Sequence, residues 1–309
     1  MQSASTIFYL QHKEINKTKW DDCIQHAENS LIYARSFYLD AMSPGWDALI
    51  DENYNWVLPI TKGRKFGINY LFQPHFTQQL GVFSKKETII PWQEIIVLLQ
   101  KKFRFWEVNW NYCTPSDLLL SSLKKSAATN FIIDLSRAYN DIYGNYQNVL
   151  KKNLKRANNV GLTYNMHEDY SKAIWFYKKY YSHRLPHLKD EHFTAFSKIC
   201  ERAGNTSVVC REAVDANNKT MSIALLLYDE RRLYNIIDTT TTEGRKAQAN
   251  HFLIDSIIKE YCSKELIFDF EGSDVPGIKS FYKSFGAENQ PYYSIKYNNL
   301  PWPWKHFKE

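Results

Sequence analysis

The segment 266–271, Leu-Ile-Phe-Asp-Phe-Glu, repeats with a period of two. In a strand, residues of like parity share a face, so Leu266, Phe268 and Phe270 point one way and Ile267, Asp269 and Glu271 the other. Two carboxylates at a strand end either line a polar cleft, where one can serve as general base for an amine nucleophile, or are neutralised by a nearby Arg or Lys. Upstream, residues 239–247 read Thr-Thr-Thr-Thr-Glu-Gly-Arg-Lys-Ala between a strand and a long helix. A glycine-bearing loop at a helix start offers N–H groups and a positive dipole end to an anion. Gly244, Arg245, Lys246 and Ala247 are therefore candidates to hold a pyrophosphate; a polar cap on an ordinary strand–helix connection is the alternative. A third cluster, Lys151, Lys152, Lys155 and Arg156, falls within two helical turns, and 142–167 contains no Asp or Glu. It suits an anionic substrate, such as a nucleotide-linked precursor, a tRNA acceptor stem or a CoA phosphate, or else it is a solvated face.

The elements that must position these groups follow from periodicity and punctuation. In the first half the pattern predicts a helix over 17–30, with Trp20, Ile24 and Ala27 on its apolar side. Strands follow at 55–61 and 65–72, turned by Lys62-Gly63-Arg64. Pro91 opens a helix to 102, and strands at 105–111 and 130–135 close this half. The second half reads as a helix over 141–159 ended by Gly161, with Tyr146, Val149, Leu150, Leu154 and Ala157 as its buried stripe. A strand at 162–166 and helices at 170–183 and 190–203 come next. Strands at 207–212, 221–228 and 233–239 precede a helix at 247–262, a strand at 266–271, a helix at 275–285 capped by Ser273 or Asp274, and a strand at 292–297. This order is an α+β, or mixed α/β, pattern. Residues 55–72 and 221–238 share a strand, a charged turn and a strand, each followed by a polar loop and a helix. That faint repeat predicts two domains, 1–137 and 138–309.

With 309 residues the chain has room for two cores, and 44% hydrophobic with 23% charged residues excludes disorder driven by charge. Its 21 Tyr, 18 Phe and 9 Trp fit a broad core or an apolar ligand channel. The net charge of +6 leans toward anionic partners. Five scattered cysteines without a CxxC pair imply buried, reduced thiols, a cytoplasmic setting and no metal site. Neither a signal peptide nor a membrane-spanning helix is expected. Trp302 and Trp304 are expected to wrap against the body, since exposed they would be sticky.

Phe281-Tyr282-Lys283-Ser284-Phe285-Gly286-Ala287 resembles the tyrosine-bearing helix of GNAT acyltransferases, in which a Tyr lies four residues before the Gly that ends the helix. By that resemblance Tyr282 protonates a departing CoA thiolate, and the strand–loop–helix before it corresponds to the pyrophosphate region, although Glu243-Gly244-Arg245-Lys246-Ala247-Gln248-Ala249 keeps one glycine of the usual signature. The basic run 150–162, the Asp269-Phe270-Glu271-Gly272-Ser273 strand end and the glycine-terminated helix after it also resemble Fem-type peptidoglycan-bridge aminoacyltransferases, themselves built from two GNAT-like domains. Tyr282 stands where the Fem-type pattern has Lys, and no long coiled-coil arm fits between Met166 and Ser207. Both resemblances imply two GNAT-like domains, the first degenerate and the second carrying an acyl-transfer cleft. They imply an acyl or aminoacyl donor, acyl-CoA preferred slightly over aminoacyl-tRNA, and an amine acceptor that is a small molecule or a cell-wall precursor.

On this reading the cleft lies between the strand ending at Thr239 and the strand ending at Glu271. Asp238, Asp269 or Glu271 guides proton removal, Tyr282 acts as acid, and Arg245 and Lys246 hold donor phosphates. A non-catalytic GNAT scaffold binding an anionic ligand, and a general RNA binder, are the rival expectations.

Overall fold

The computed structural model describes residues 6–118, 123–203, 208–272 and 274–305. Ser207 and Ser273, each named above, lie outside them. The chain divides into two compact units, one of residues 1–128 with 291–309, the other of residues 129–290. The division expected at 137/138 thus falls earlier, because strand Phe131–Asp134 pairs with Ile267–Asp269 and joins the second unit's sheet. The last strand, Tyr292–Asn298, lies in the first unit between Phe105–Trp110 and Lys124–Ala128, where Ile295 enters that core.

The first unit holds an antiparallel sheet ordered Ile7–Leu10, Asp47–Asp51, Trp56–Ile60, Phe83–Ser84. A second sheet is ordered Lys62–Lys65, Ile68–Phe72, Phe105–Trp110, Tyr292–Asn298, Lys124–Ala128. Trp56, Leu58, Leu71, Trp106, Val108 and the Ile95, Ile96 and Leu99 face of helix Trp92–Lys102 share one core. The triplet expected to turn the hairpin is itself strand, and the turn falls on Phe66 and Gly67, both left-handed at φ 50° and 76°. The first helix is Lys17–His26, shorter than expected.

The second unit is built on a seven-stranded sheet ordered Thr163–His167, Val208–Val214, Thr220–Tyr228, Arg232–Thr240, Ile267–Asp269, Phe131–Asp134, Glu288–Asn289. Among the described residues of this sheet only Arg232–Thr240 and Ile267–Asp269 run parallel; the helix Ala249–Tyr261 makes the crossover a parallel pair requires. Leu253, Ile254, Ile257 and Ile258 of that helix pack with Ala224, Leu226 and Leu233 on one sheet face, and Leu150, Leu154 and Ala157 of helix Asn148–Val160 join them. Ile223, Leu225 and Leu227 fall on the other face by alternation, and helix Tyr170–Tyr181 packs there through Ala173 and Ile174.

The helix expected over 141–159 is two, Tyr139–Gly144 and Asn148–Val160, the second ended by a left-handed Gly161. Val149, assigned to its buried stripe, is exposed. In each unit a β-hairpin leads into a helix and then a parallel strand: Ile68–Phe72, Trp92–Lys102 and Phe105–Trp110 in the first, Arg232–Thr240, Ala249–Tyr261 and Ile267–Asp269 in the second.

Cys23, Cys200 and Cys210 are buried thiols, each pushed up to about 12 chiefly by burial, whereas Cys113 is exposed, contrary to the expectation of five buried thiols. Among the described residues no helix is long and apolar enough to cross a membrane. Trp302 is 79% and Trp304 46% exposed, so the tail does not bury its tryptophans. Trp304 rests instead on the ring of Phe66, itself on the surface.

Candidate functional site

The parallel pairing of Arg232–Thr240 with Ile267–Asp269 lasts three residues: Arg232 with Ile267, Leu233 with Phe268, Tyr234 with Asp269. Beyond that point the two strands part. One continues to Thr240, while the other stops, and Glu271 and Gly272 adopt left-handed φ of 62° and 48° that turn the chain away. A non-glycine residue in that region is a strained position, of the kind that gathers at functional sites.

Where the strands separate, the longer one carries a β-bulge. Leu225 pairs with Ile237 and Leu227 with Tyr234, so two steps on one strand face three on the other. Consecutive strand residues ordinarily point to opposite faces; the extra residue re-aims the chain, and both Asn235 and Ile236 line the opening. Alternate N–H groups along 235–240 face the gap, because among the described residues no strand pairs with that edge there.

The gap is a cavity of about 1030 Å³. Asn235, Asp238 and Thr240 line one wall, and Phe270, Glu271 and Tyr282 another. Asn250 and His251 come from the start of helix Ala249–Tyr261, and Tyr177, Tyr181 and Arg184 from helix Tyr170–Tyr181 and the turn after it. The two strand ends expected to part around a hollow are therefore adjacent, and the hollow between them is open.

Asp238 is held by a defined chain of polar groups. Asn250 Nδ2 donates to Asp238 Oδ2 at 2.9 Å, and Asn250 Oδ1 accepts from Ser222 Oγ at 3.3 Å. Ser222 Oγ also lies 3.0 Å from Thr240 Oγ1. Burial pushes the Asp238 carboxyl up to about 6, against hydrogen bonds from Asn250 and Asn235 that draw it down. Burial pushes Glu271 further, to about 8. The phenol of Tyr282 is raised well above its ordinary value, first by burial and then by the charges of Asp238, Glu271 and Asp269, so it keeps its proton. His251 is pushed down to about 4 by burial among aromatic rings, with Phe281 at 4.8 Å, and is neutral. Asn235 is 4% exposed, and its Oδ1 has no hydrogen-bond partner among the described residues. An unsatisfied buried acceptor is costly, and one sits in the wall behind the cavity lining.

Asp269 takes the neutralised alternative and is a correction to its reading as a base. It is 1% exposed, and Oδ2 accepts from Arg232 Nη1 at 2.5 Å and Asn130 Nδ2 at 3.1 Å, while Oδ1 accepts from the Glu271 N–H at 2.9 Å. The kink after Asp269 breaks the alternation, so Glu271 faces the cavity and Asp269 does not.

Gly244 and Arg245 reach the cavity; Lys246 is exposed elsewhere, and Ala247 packs in the core. Gly244 is glycine for a different reason from the one expected: a Cβ there would stand 2.0 Å from the Met221 carbonyl oxygen. Its N–H is taken by the Thr241 side chain at 2.9 Å, in a short helix Thr242–Lys246. Arg245 Nη2 reaches Tyr181 Oη at 3.4 Å, and the Arg184 guanidinium lies 6.0 Å from the Tyr181 ring. The basic helix does not reach this site. Lys152, Lys155 and Arg156 are exposed, and Lys151 lies over the Tyr143 ring at 5.3 Å; none of them lines the cavity. Asn235, Asn250, Tyr177, Tyr181 and Arg184 escaped sequence reasoning, although Asn235 stands as a polar residue in the apolar run Leu233-Tyr234-Asn235-Ile236-Ile237.

No family model and no curated protein matches the chain. Solved structures do. FemX matches with a TM-score of 0.66 at 12% identity, covering 98% of this chain and 99% of its own. The C-terminal domain from Agrobacterium fabrum assigned to a lysylphosphatidylglycerol synthetase matches at 0.53 and 12% identity, covering 92% and 93%. L-PGS from Bacillus licheniformis matches at 0.52 and 9% identity, covering 94% of each chain. The chain shares the fold of FemX, with the cavity described here at the point where its central strands part.

Proposed function

We propose that the chain is an acyltransferase that moves an acyl or aminoacyl group from an activated donor to an amine acceptor. One observation carries the reading: the parted strands enclose a cavity that presents a carboxyl near its working range, Asp238 at about 6, beside a protonated phenol, Tyr282. A base near neutrality and an acid that keeps its proton are what amide formation requires. The amine nitrogen attacks the donor carbonyl carbon, and Asp238 receives the proton the nitrogen sheds. Strand N–H groups along 235–240 hold the carbonyl oxygen as it gains charge. The leaving sulfur or oxygen takes the Tyr282 proton as its bond to the carbonyl carbon breaks. Glu271, protonated at neutral pH, donates a hydrogen bond and does not act as base.

Acyl-CoA is the slightly preferred donor, since Tyr282 is suited to a thiolate and Arg245 and Arg184 offer charge for phosphates at the cavity rim. The capped, buried Gly244 weakens that preference and gives weight to an aminoacyl ester carried on tRNA, or to a scaffold without chemistry. The exposed cations Lys152, Lys155 and Arg156 would then engage the nucleic acid backbone, with Lys151 beside them. The acceptor is an amine on a small molecule or a cell-wall precursor, and the setting is cytoplasmic.

Isothermal titration with acetyl-CoA tests the donor. Binding that disappears in Arg245→Ala supports CoA. Heat without that dependence removes Arg245 from the donor site, and no heat at all moves the reading to aminoacyl-tRNA. Single-turnover transfer to an amine library, compared between the parent chain and Asp238→Asn, then separates an enzyme from a scaffold.

A further inference from the structure

In the first unit the hairpin Lys62–Lys65 to Ile68–Phe72 ends in a turn that puts Phe66, 74% exposed, in a left-handed conformation with Gly67. Glycine and asparagine occupy that conformation at little cost; a bulky aromatic does not, and its ring gains no burial there. The ring's neighbours are Trp304, stacked at 5.5 Å, and the Lys65 ammonium at 5.5 Å. Trp302, 79% exposed, lies on a segment made stiff by Pro301 and Pro303. Behind this tip, on the same hairpin, a cavity of about 490 Å³ is lined by Lys62, Arg64, Asn69, Lys102 and Tyr9. Neither 61–73 nor 298–305 contains an acidic residue. Lys62 is neutralised by Asp47, while Arg64, Lys65 and Lys305 are exposed.

We propose that this tip docks on the surface of an anionic phospholipid bilayer. Phe66, Trp302 and Trp304 enter the interfacial layer, where amphipathic rings are at home. Arg64, Lys65 and Lys102 meet the headgroup phosphates behind them, each cation adding to the attraction. The charge sign, the outward rings and the unrewarded backbone at Phe66 all fit that occupant. A single-stranded RNA would instead require a continuous groove with bases stacked in succession, whereas here one stacked pair, Phe66 and Trp304, sits at a hairpin turn. The contact is peripheral and independent of the transfer chemistry.

The test is co-sedimentation of the full chain with vesicles of phosphatidylcholine alone and of phosphatidylcholine mixed with phosphatidylglycerol. The proposal expects binding to the mixed vesicles, weakened by salt and at least about tenfold tighter than to the neutral ones. It expects a loss of about tenfold or more in the triple variant Phe66→Ala, Trp302→Ala, Trp304→Ala. Lys65→Glu, which leaves the rings in place, is expected to weaken binding as well, so a folding defect in the triple variant would not decide the matter. Failure of the parent chain to sediment with mixed vesicles overturns the proposal. So does parent-like binding by both variants, tighter binding of a single-stranded RNA through the same residues, or a self-association that the triple variant abolishes.

Discussion

Asn250 Nδ2 donates to Asp238 Oδ2 across 2.9 Å, and because Ser222 fixes the other end of the Asn250 amide, the bond stabilises the charged form of that carboxyl. With Asp238 as base, turnover rises as pH climbs through about 6. Asn250→Ala removes a group that lowers the pKa, so the acid limb of the rate profile moves to higher pH. Asp238→Asn cuts kcat by about 10²–10⁴-fold. A profile indifferent to Asn250→Ala would remove Asp238 from the chemistry.

Glu271 makes stability depend on pH in the opposite sense from most carboxylates. Its pKa is raised from 4.5 to about 8 on folding, so between those values the folded chain binds the extra proton. Stability falls as pH rises through that window and levels off above it. Glu271→Gln flattens the dependence and, near pH 9, leaves the variant more stable than the parent by on the order of 1–3 kcal/mol. Urea midpoints at acid and alkaline pH measure it; a parallel offset at both would contradict the assignment.

Asp269 and Arg232, at 1% and 3% exposure, form a buried ion pair. Breaking one partner strands the other, which costs about 3–5 kcal/mol. Asp269→Ala is expected to lower the unfolding midpoint sharply, yet the fraction still folded in the cold should turn over close to the parental rate. A fully folded but inactive variant would restore Asp269 to a direct role.

Tyr282→Phe keeps the ring packed against Phe270, whose centroid lies 4.6 Å away, and removes only the proton. Turnover should drop by about 10²-fold while donor affinity holds, because the phenol acts on the leaving group and not on the bound ground state. A fall in affinity with turnover unchanged would make the tyrosine a binding surface.

At Gly244 the predicted effect is structural. A methyl group there meets the Met221 backbone, at 2.0 Å from its oxygen and 2.8 Å from its carbonyl carbon, which cannot yield as a side chain would. Gly244→Ala should cost about 1–3 kcal/mol. Donor affinity per folded molecule should survive, in contrast to Arg245→Ala.

Two central strands of the second unit were legible because their apolar runs are long and bounded by turn residues; Thr220–Tyr228 and Arg232–Thr240 fall within a residue of the pattern. The cleft between Thr239 and Glu271 came from the resemblance to GNAT and Fem-type transferases. The bulge at Asn235 could not, since it is a mismatch between two strands and leaves no mark on one. Asp269 and Glu271 looked alike from alternation alone; a left-handed residue separates them, and Glu carries no signature for that conformation. Lys124–Ala128 and the position of Tyr292–Asn298 were missed because their pairing joins segments far apart in sequence, and Lys124–Ala128 is polar enough to read as loop.

Because three paired residues precede the divergence of Arg232–Thr240 from Ile267–Asp269, the opening is made by the course of the main chain, not by small side chains leaving room. A fissure of that origin is insensitive to most exchanges around its mouth. Ile236, Val275 and Ile278 can be swapped for larger or smaller neighbours to admit a different guest without unseating the framework that grips it.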